Sequence, residues 1–232
     1  MLWRQIHPPG SHMVPFPIMI PDWSQLPSWS WATIGSAVQW YGTIQELRTA
    51  EHVEELCSVT IEDSDMPYPT LRIAGQPMKM CPQEDVLSIS AAINLHGIPE
   101  KPVASFHHLG FTCRYELDSW FLHQTWDNAS GDEDRFFDSL ISSTVILPVI
   151  WDDKDLYQVY GAQCLLLWRD PGFGKGVYRR VGLVKMEDTQ GSRARYLPSS
   201  HLVRWAKHYS KDLPEQDFVE QGEQGDFQIE LI

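Results

Sequence analysis

A histidine pair, a glycine-rich lysine loop and an acidic turn are the features whose residue types and spacing bear on chemistry. His107-His108, with Asp118 and His123 downstream, carry the nitrogen and carboxylate donors that hold zinc. The spacing argues against a shared ion. No H-E-x-x-H is present, and adjacent strand residues point to opposite faces. Gly172-Phe173-Gly174-Lys175-Gly176 invites a phosphate-loop reading. A phosphate loop needs G-x-x-x-x-G-K-[ST] between a strand and a helix, so that amides and the helix dipole converge on the anion. Here no Ser or Thr follows Lys175 and a strand comes next, so the run is expected to be a turn. Asp152-Asp153-Lys154-Asp155 offers paired carboxylates, but between two apolar runs it marks a solvated turn. No G-x-S-x-G elbow occurs, and no cysteine has a nucleophile context. The sequence therefore assigns no catalytic, cofactor-binding or metal-binding residues, and the chain is expected not to be an enzyme. A site assembled from distant residues such as His107, Asp118 and His123 is the alternative.

The tryptophans are the other chemical feature. Ten occur in 232 residues, and Trp29-Ser30-Trp31 sets two indoles on one face of an extended segment, between Trp23 and Trp40. Indoles offer large contact area plus an N–H donor, which suits a platform for glycans or a protein partner. The same pair also suits a core staple, with Pro27 and Ser28 fixing the entry of the chain. The staple is the expected role of this pair, and the platform, with Trp120 and Trp126 as further candidates, is the alternative.

The elements that must position these residues are mostly strands. Ala37 to Tyr41 is a β-branched and aromatic stretch, closed by Gly42. Cys57, Val59 and Ile61 alternate with Ser58 and Thr60, the period-two signature of a half-buried strand. Leu71 and Ile73 continue that style, and Phe111 to Leu117 alternates cleanly. Val145 to Trp151 is apolar but contains Pro148, which predicts an edge or bulged strand. The strongest local signal is a hairpin, residues 161–168 with 177–186 around the Gly-rich turn. Helices are fewer. Leu202, Trp205, Ala206 and Tyr209 recur at helical spacing, with Ser199 or Ser200 as the cap. Ile44 to Leu56 fits a helix or a long strand, and Asp134 to Ser142 is a weaker helical segment.

Composition places the chain in context. Hydrophobic residues at 43% and charged residues at 21% give the balance of a folded domain. The four cysteines (Cys57, Cys81, Cys113, Cys164) are scattered, without a C-x-x-C pair, and are read as free buried thiols. Prolines at 8, 9, 15, 17 and 21 break the apolar N-terminus, so neither a signal peptide nor a membrane span is expected. The net charge of −13 disfavours nucleic acid and anionic membranes. Much of it is local. Residues 212–232 hold seven acids and no Lys or Arg, and without them the balance is −6. That acidic C-terminal tail is expected to be solvated and partly disordered, although Phe218, Val219, Phe227, Ile229, Leu231 and Ile232 offer a means of docking.

Three segments in order carry a resemblance. Pro27-Ser28-Trp29-Ser30-Trp31-Ala32 resembles the string found downstream of the heterokaryon-incompatibility (HET) domain in a large family of filamentous-fungal proteins. Thr70-Leu71-Arg72-Ile73-Ala74-Gly75 is similar to that family's "L-x-L-R-G" strand. Cys164-Leu165-Leu166-Leu167, followed by Gly176-Val177-Tyr178-Arg179-Arg180-Val181-Gly182-Leu183, is similar to its "G-L-L-L…G-x-[YF]-x-R-[IV]-G" hairpin. Leu2-Trp3-Arg4 also resembles the "L-L-W-R" that precedes the tryptophan string. The preceding HET-domain blocks are missing, so the resemblance carries over no death-inducing residue. It implies a truncated gene model, a fragment or a standalone paralogue.

The expected organisation is thus a Pro-rich segment at 1–22, a β-rich region at 23–211 and the acidic tail at 212–232. The fold class is mainly β (α+β), an antiparallel sandwich or barrel-like domain with a few short helices. The resemblance implies a non-enzymatic recognition or regulatory role in fungal non-self recognition and programmed cell death. It also implies a HET or other effector domain or protein as partner, no cofactor, and a cytoplasmic location. A glycan- or protein-binding module built on exposed tryptophans is the alternative.

Overall fold

A computed structural model of the chain describes residues 3–5, 38–40, 53–62, 69–79, 86–93, 99–108, 111–118, 121, 135, 142–152, 161–169, 172, 174–188, 199–210, 213–222 and 226–232. The tryptophan string, Asp153 to Asp155, His123, Trp120, Trp126 and Cys81 lie outside the described residues.

Alternating apolar residues make strands at 70–75, 113–117 and 227–231, where one face of each strand is buried. The chain runs β1 (Trp3–Gln5), β2 (Val38–Trp40), β3 (Val53–Glu55), β4 (Ser58–Glu62), β5 (Thr70–Gly75), β6 (Met78–Lys79), β7 (Val86–Ile93), β8 (Pro99–His108), β9 (Phe111–Leu117), β10 (Thr144–Asp152), β11 (Gly161–Arg169) and β12 (Val177–Asp188). Helix α1 (Ser199–Ser210), a 3-10 turn (Glu215–Asp217), β13 (Glu220–Gln221) and β14 (Phe227–Leu231) follow. β1 and β2 pair with each other. The other twelve strands form one mixed sheet, antiparallel at every described pairing except β12 with β14. The fold is mainly β, as expected.

The sheet folds onto itself. Its path is β3-β10-β11-β12-β14-β5-β4, and β6, which is off that path, pairs back onto β10 beside β3. Residues 53–56 run along the outer edge of β10, with the Leu56 N–H donating to the Val149 carbonyl at 2.8 Å. β4 then turns onto β5. β6, the continuation of β5, pairs with β10 at Val145 and Ile146. The enclosed, barrel-like interior is lined by Leu71, Ile73, Val145, Leu147, Leu165, Leu167, Tyr178, Ile229 and Leu231, among others. Alternate residues of the same strands (Ile146, Cys164, Leu166, Val184) face the other way, into a second core that Leu202 and Ala206 of α1 cover. β10 and β11 are buried on both faces, which explains their nearly continuous apolar sequence.

The hairpin of β11 and β12 matches the expectation, with the Gly-rich turn between its strands. Pro148 sits at a bulge, where the register slips between Pro148 and Ile150. β10 is bulged but not an edge strand. Helix α1 spans the expected residues and ends with Lys207 and His208, cations that complement the helix dipole. Of the segment from Ile44 to Leu56, the described end is strand, and of that from Asp134 to Ser142 only Arg135 and Ser142 are described, both helical.

Two expectations need correcting. The 212–232 segment is not a solvated tail, because its apolar residues dock it. β14 lies between β12 and β5, and Leu213, Phe227, Ile229, Leu231 and Ile232 are buried. β4 is not half-buried. Val59 and Ile61 are 40% and 71% exposed.

Candidate functional site

Of the residues singled out by the sequence, Tyr178, Arg180 and Gly182 lie on β12, where that long strand changes neighbours. Leu165 to Leu167 lie on the adjoining β11, and Leu71, Arg72 and Gly75 lie on β5, beyond β14. The start of β12 pairs with β14 through Val177 and Tyr178, and from Gly182 onward it pairs with β9. Between the two lies a bulge against β11. Leu166 faces Gly182 and Leu167 faces Arg180, which leaves Val181 as the extra residue.

Each residue from Gly176 to Gly182 that was singled out has a physical duty. Gly176 adopts φ +69°, and a Cβ there would lie 2.4 Å from the Val219 backbone nitrogen. Its N–H donates to the Gln216 carbonyl and its carbonyl accepts from Glu230 N–H, so both ends of the C-terminal segment are tied to it. The Tyr178 ring fills the barrel interior, and its hydroxyl donates to the Asp217 carbonyl at 2.9 Å. Burial, then the nearby Asp217 charge, pushes that phenol above its ordinary range, partly offset by Arg169. Arg180 is fully buried and meets Asp118 at 3.3 Å. Burial pushes the Asp118 carboxyl up to about 6, against the lowering effect of Arg180. Asp118 directly follows β9, and its N–H donates to the carbonyl of the bulged Val181 at 2.9 Å. Gly182 lets β9 close in, since a Cβ there would lie 2.3 Å from the Glu116 carbonyl oxygen.

The other singled-out residues sit around this strand. Leu165 and Leu167 face the barrel interior, and Leu166 faces the core under α1. Leu71 faces the interior from β5. Gly75 stands at the corner, where a Cβ would meet Leu147 Cδ1 at 2.9 Å and Cys57 Cβ at 3.0 Å. Arg72 lies on the outside of β5 and holds Glu62 at 3.0 Å and Glu230 at 3.1 Å. Pro27, Ser28, Trp29, Ser30, Trp31 and Ala32 lie outside the described residues.

A second polar cluster went unread in the sequence. Asp217, nearly buried in the 3-10 turn, meets Lys79 of β6 at 3.2 Å and Arg169 of β11 at 3.5 Å. Its signal was the apolar company of Leu213 and Phe218 within an acidic run, which marks a segment that packs. Lys79 and Arg169 gave none. Lys175 of the Gly-rich turn bonds Glu215 at 3.2 Å and stands over the Phe218 ring. That turn joins two antiparallel strands with no helix behind it, and its lysine clamps the C-terminal segment.

A small cleft of about 80 Å³ lies between α1 and the turn after β5, lined in part by Gln76, Lys207 and Asp226. It is far below the ~300–1,000 Å³ of small-molecule sites. Gln76 there donates to Asp226 at 2.6 Å and accepts from the Ser210 hydroxyl at 2.8 Å, which ties the end of α1 to the start of β14. Burial pushes the thiols of Cys57 and Cys113 up to about 12, with Glu55 adding to the effect at Cys57. Neither is a ready nucleophile. Among the described residues no group of three His, Cys, Asp or Glu is placed to hold a metal, and no helix is long and apolar enough to cross a membrane. Asp118 is committed to Arg180, and the strand position of His107 is opposite Thr112. Comparison of the chain with family models, curated proteins and solved structures returns no match.

Proposed function

We propose that this chain is a non-enzymatic recognition or regulatory region of the kind that accompanies HET domains, acting in the cytoplasm through an effector domain or protein partner and without a cofactor. The observation that carries this reading is that the described motif residues of β5, β11 and β12 fall in one sheet. The described residues behind the resemblance (Leu71, Arg72, Gly75, Leu165 to Leu167, Tyr178, Arg180, Gly182) belong to one folded unit, and each answers a packing, hydrogen-bonding or ion-pair requirement there. Such residues specify a scaffold, and a scaffold of this kind acts by presenting surface to a partner.

The test uses the whole chain. Purified, it is expected to leave NAD intact, and expressed alone it is expected not to kill fungal cells. Co-expressed with a HET-domain protein, it is expected to co-precipitate with it. Hydrolysis of NAD by the chain, or death on expressing it alone, overturns the proposal.

A further inference from the structure

We propose that β4 is a self-association edge, through which two copies of this chain pair antiparallel over Ser58–Glu62 about a two-fold axis at Thr60. One edge of β4 is bonded to β5, and no described strand pairs with the other. Val59 and Ile61 are the large exposed hydrophobic residues among those described. Directly opposed residues of an antiparallel pair share a face. Val59 faces the buried Ile73 across the ladder and Ile61 faces the buried Leu71, so the apolar layer of the barrel interior runs one strand past its cover. An unpaired edge bearing such a layer is a template for another strand.

The sequence of β4 selects its own copy as that strand. Antiparallel pairing centred on Thr60 sets Val59 against the partner's Ile61, and Ile61 against the partner's Val59. Each Glu62 then faces the partner's Ser58, and Thr60 faces Thr60. No like charges are opposed, and the apolar residues meet twice. In-register parallel pairing would instead set Glu62 beside Glu62, which is unfavourable. Glu62 is already partly neutralised by Arg72 at 3.0 Å. Five residues form a short edge, so the dimer is weak. Each copy carries a net charge of −13, so screening the repulsion tightens the dimer as salt rises. The inference rests on β4 alone and is independent of the HET reading.

The experiment is sedimentation equilibrium on the full chain across a concentration series, with variants that report the register. A monomer–dimer equilibrium is expected. Ile61→Lys weakens it by at least about tenfold, and Ser58→Glu weakens it by opposing the partner's Glu62. Ser58→Lys tightens it for the converse reason. Thr60→Cys, on the axis, forms an intermolecular disulfide on mild oxidation beyond any formed by the unmodified chain, because opposed Cα atoms ~4.5–5.5 Å apart suit one. Ser58→Cys does not. Circular dichroism checks that the variants fold, and with both Ser58 and Ile61 exposed they leave the core untouched. A chain that stays monomeric at every concentration overturns the proposal, including one that captures an extended peptide on β4 instead. So does a dimer indifferent to Ile61→Lys and Ser58→Glu whose Thr60→Cys variant fails to cross-link.

Discussion

Strands β14 and β4 flank the same strand, β5, and present similar apolar alternation to the same face. Across the ladder, Val59, Ile73 and Ile229 form one row, and Ile61, Leu71 and Leu231 form the next. Ile229 and Leu231 are completely buried, whereas Val59 and Ile61 are exposed. The difference lies in what stands beyond each strand. The far side of β14 is held by β12 and β13, and its apolar residues join the core over β10 and β11. β4 is the last strand of the path. Alternation chooses the face a side chain takes, but neighbours decide whether water reaches it.

Removing β14 breaks the comparison most severely. A chain ending after Asp226 loses the strand that joins β12 to β5, and both cores open. It is expected to show no cooperative thermal transition and to bind a hydrophobic dye at room temperature. A cooperative transition close to that of the full chain would mean that β14 is an ornament of the sheet and not its keystone.

Single truncations then measure the two rows. Ile229→Ala is expected to cost ~2–5 kcal/mol, the transfer and cavity terms of a buried isoleucine. Ile61→Ala, in protein dilute enough to be monomeric, is expected to stay within about 0.5 kcal/mol. Urea midpoints at unchanged m-value check both. Equal losses would show that exposure in the sheet does not track energetic contribution. Gly75→Ala sits between them, at the corner where β5 leaves both flanking strands. Its Cβ would overlap Leu147 and Cys57, so a loss of ~1–3 kcal/mol is expected, with the two side chains absorbing part of the clash.

Much of this was legible beforehand. Strict period-two patterns at 57–61 and 111–117 and the turn chemistry at 169–176 became the expected strands and hairpin. The helix at 199–210 followed from its spacing. The fate of 212–232 was harder to read, because its seven acids offset its seven apolar residues in any composition argument. The acids found uses that composition does not show: Glu230 binds Arg72, Asp226 binds Gln76, and Asp217 binds Lys79 and Arg169. Burial of Arg180 was equally opaque. It depends on a bulge at Val181 and on Asp118, sixty-odd residues away, and no local pattern announces a long-range ion pair. The glycines were recognisable as a motif, but the reason at Gly182 is the approach of β9, a tertiary fact.

The smallest effect is expected on the outer face, where Arg72 bridges the two flanking strands. It faces Glu230 directly across the ladder and reaches Glu62 diagonally. At 28% exposure the Glu230 side chain is the less solvated partner, against 42% for Glu62. Water and salt screen both arms, and surface pairs of this kind are worth ~0–1 kcal/mol. Double-mutant cycles of Arg72→Ala with Glu230→Gln and with Glu62→Gln are expected to give coupling within that range, larger for Glu230. Both couplings should shrink as salt is raised. The ordering is the informative part. β14 is fixed by its core residues whether or not Arg72 is present, so its glutamate is held in place and loses little side-chain freedom on pairing. β4 has no such anchorage on its apolar face, so Glu62 must be ordered by the ion pair itself. A coupling at Glu62 equal to that at Glu230 would show β4 to be as firmly held as β14, and the contrast between the two strands would then be one of exposure alone.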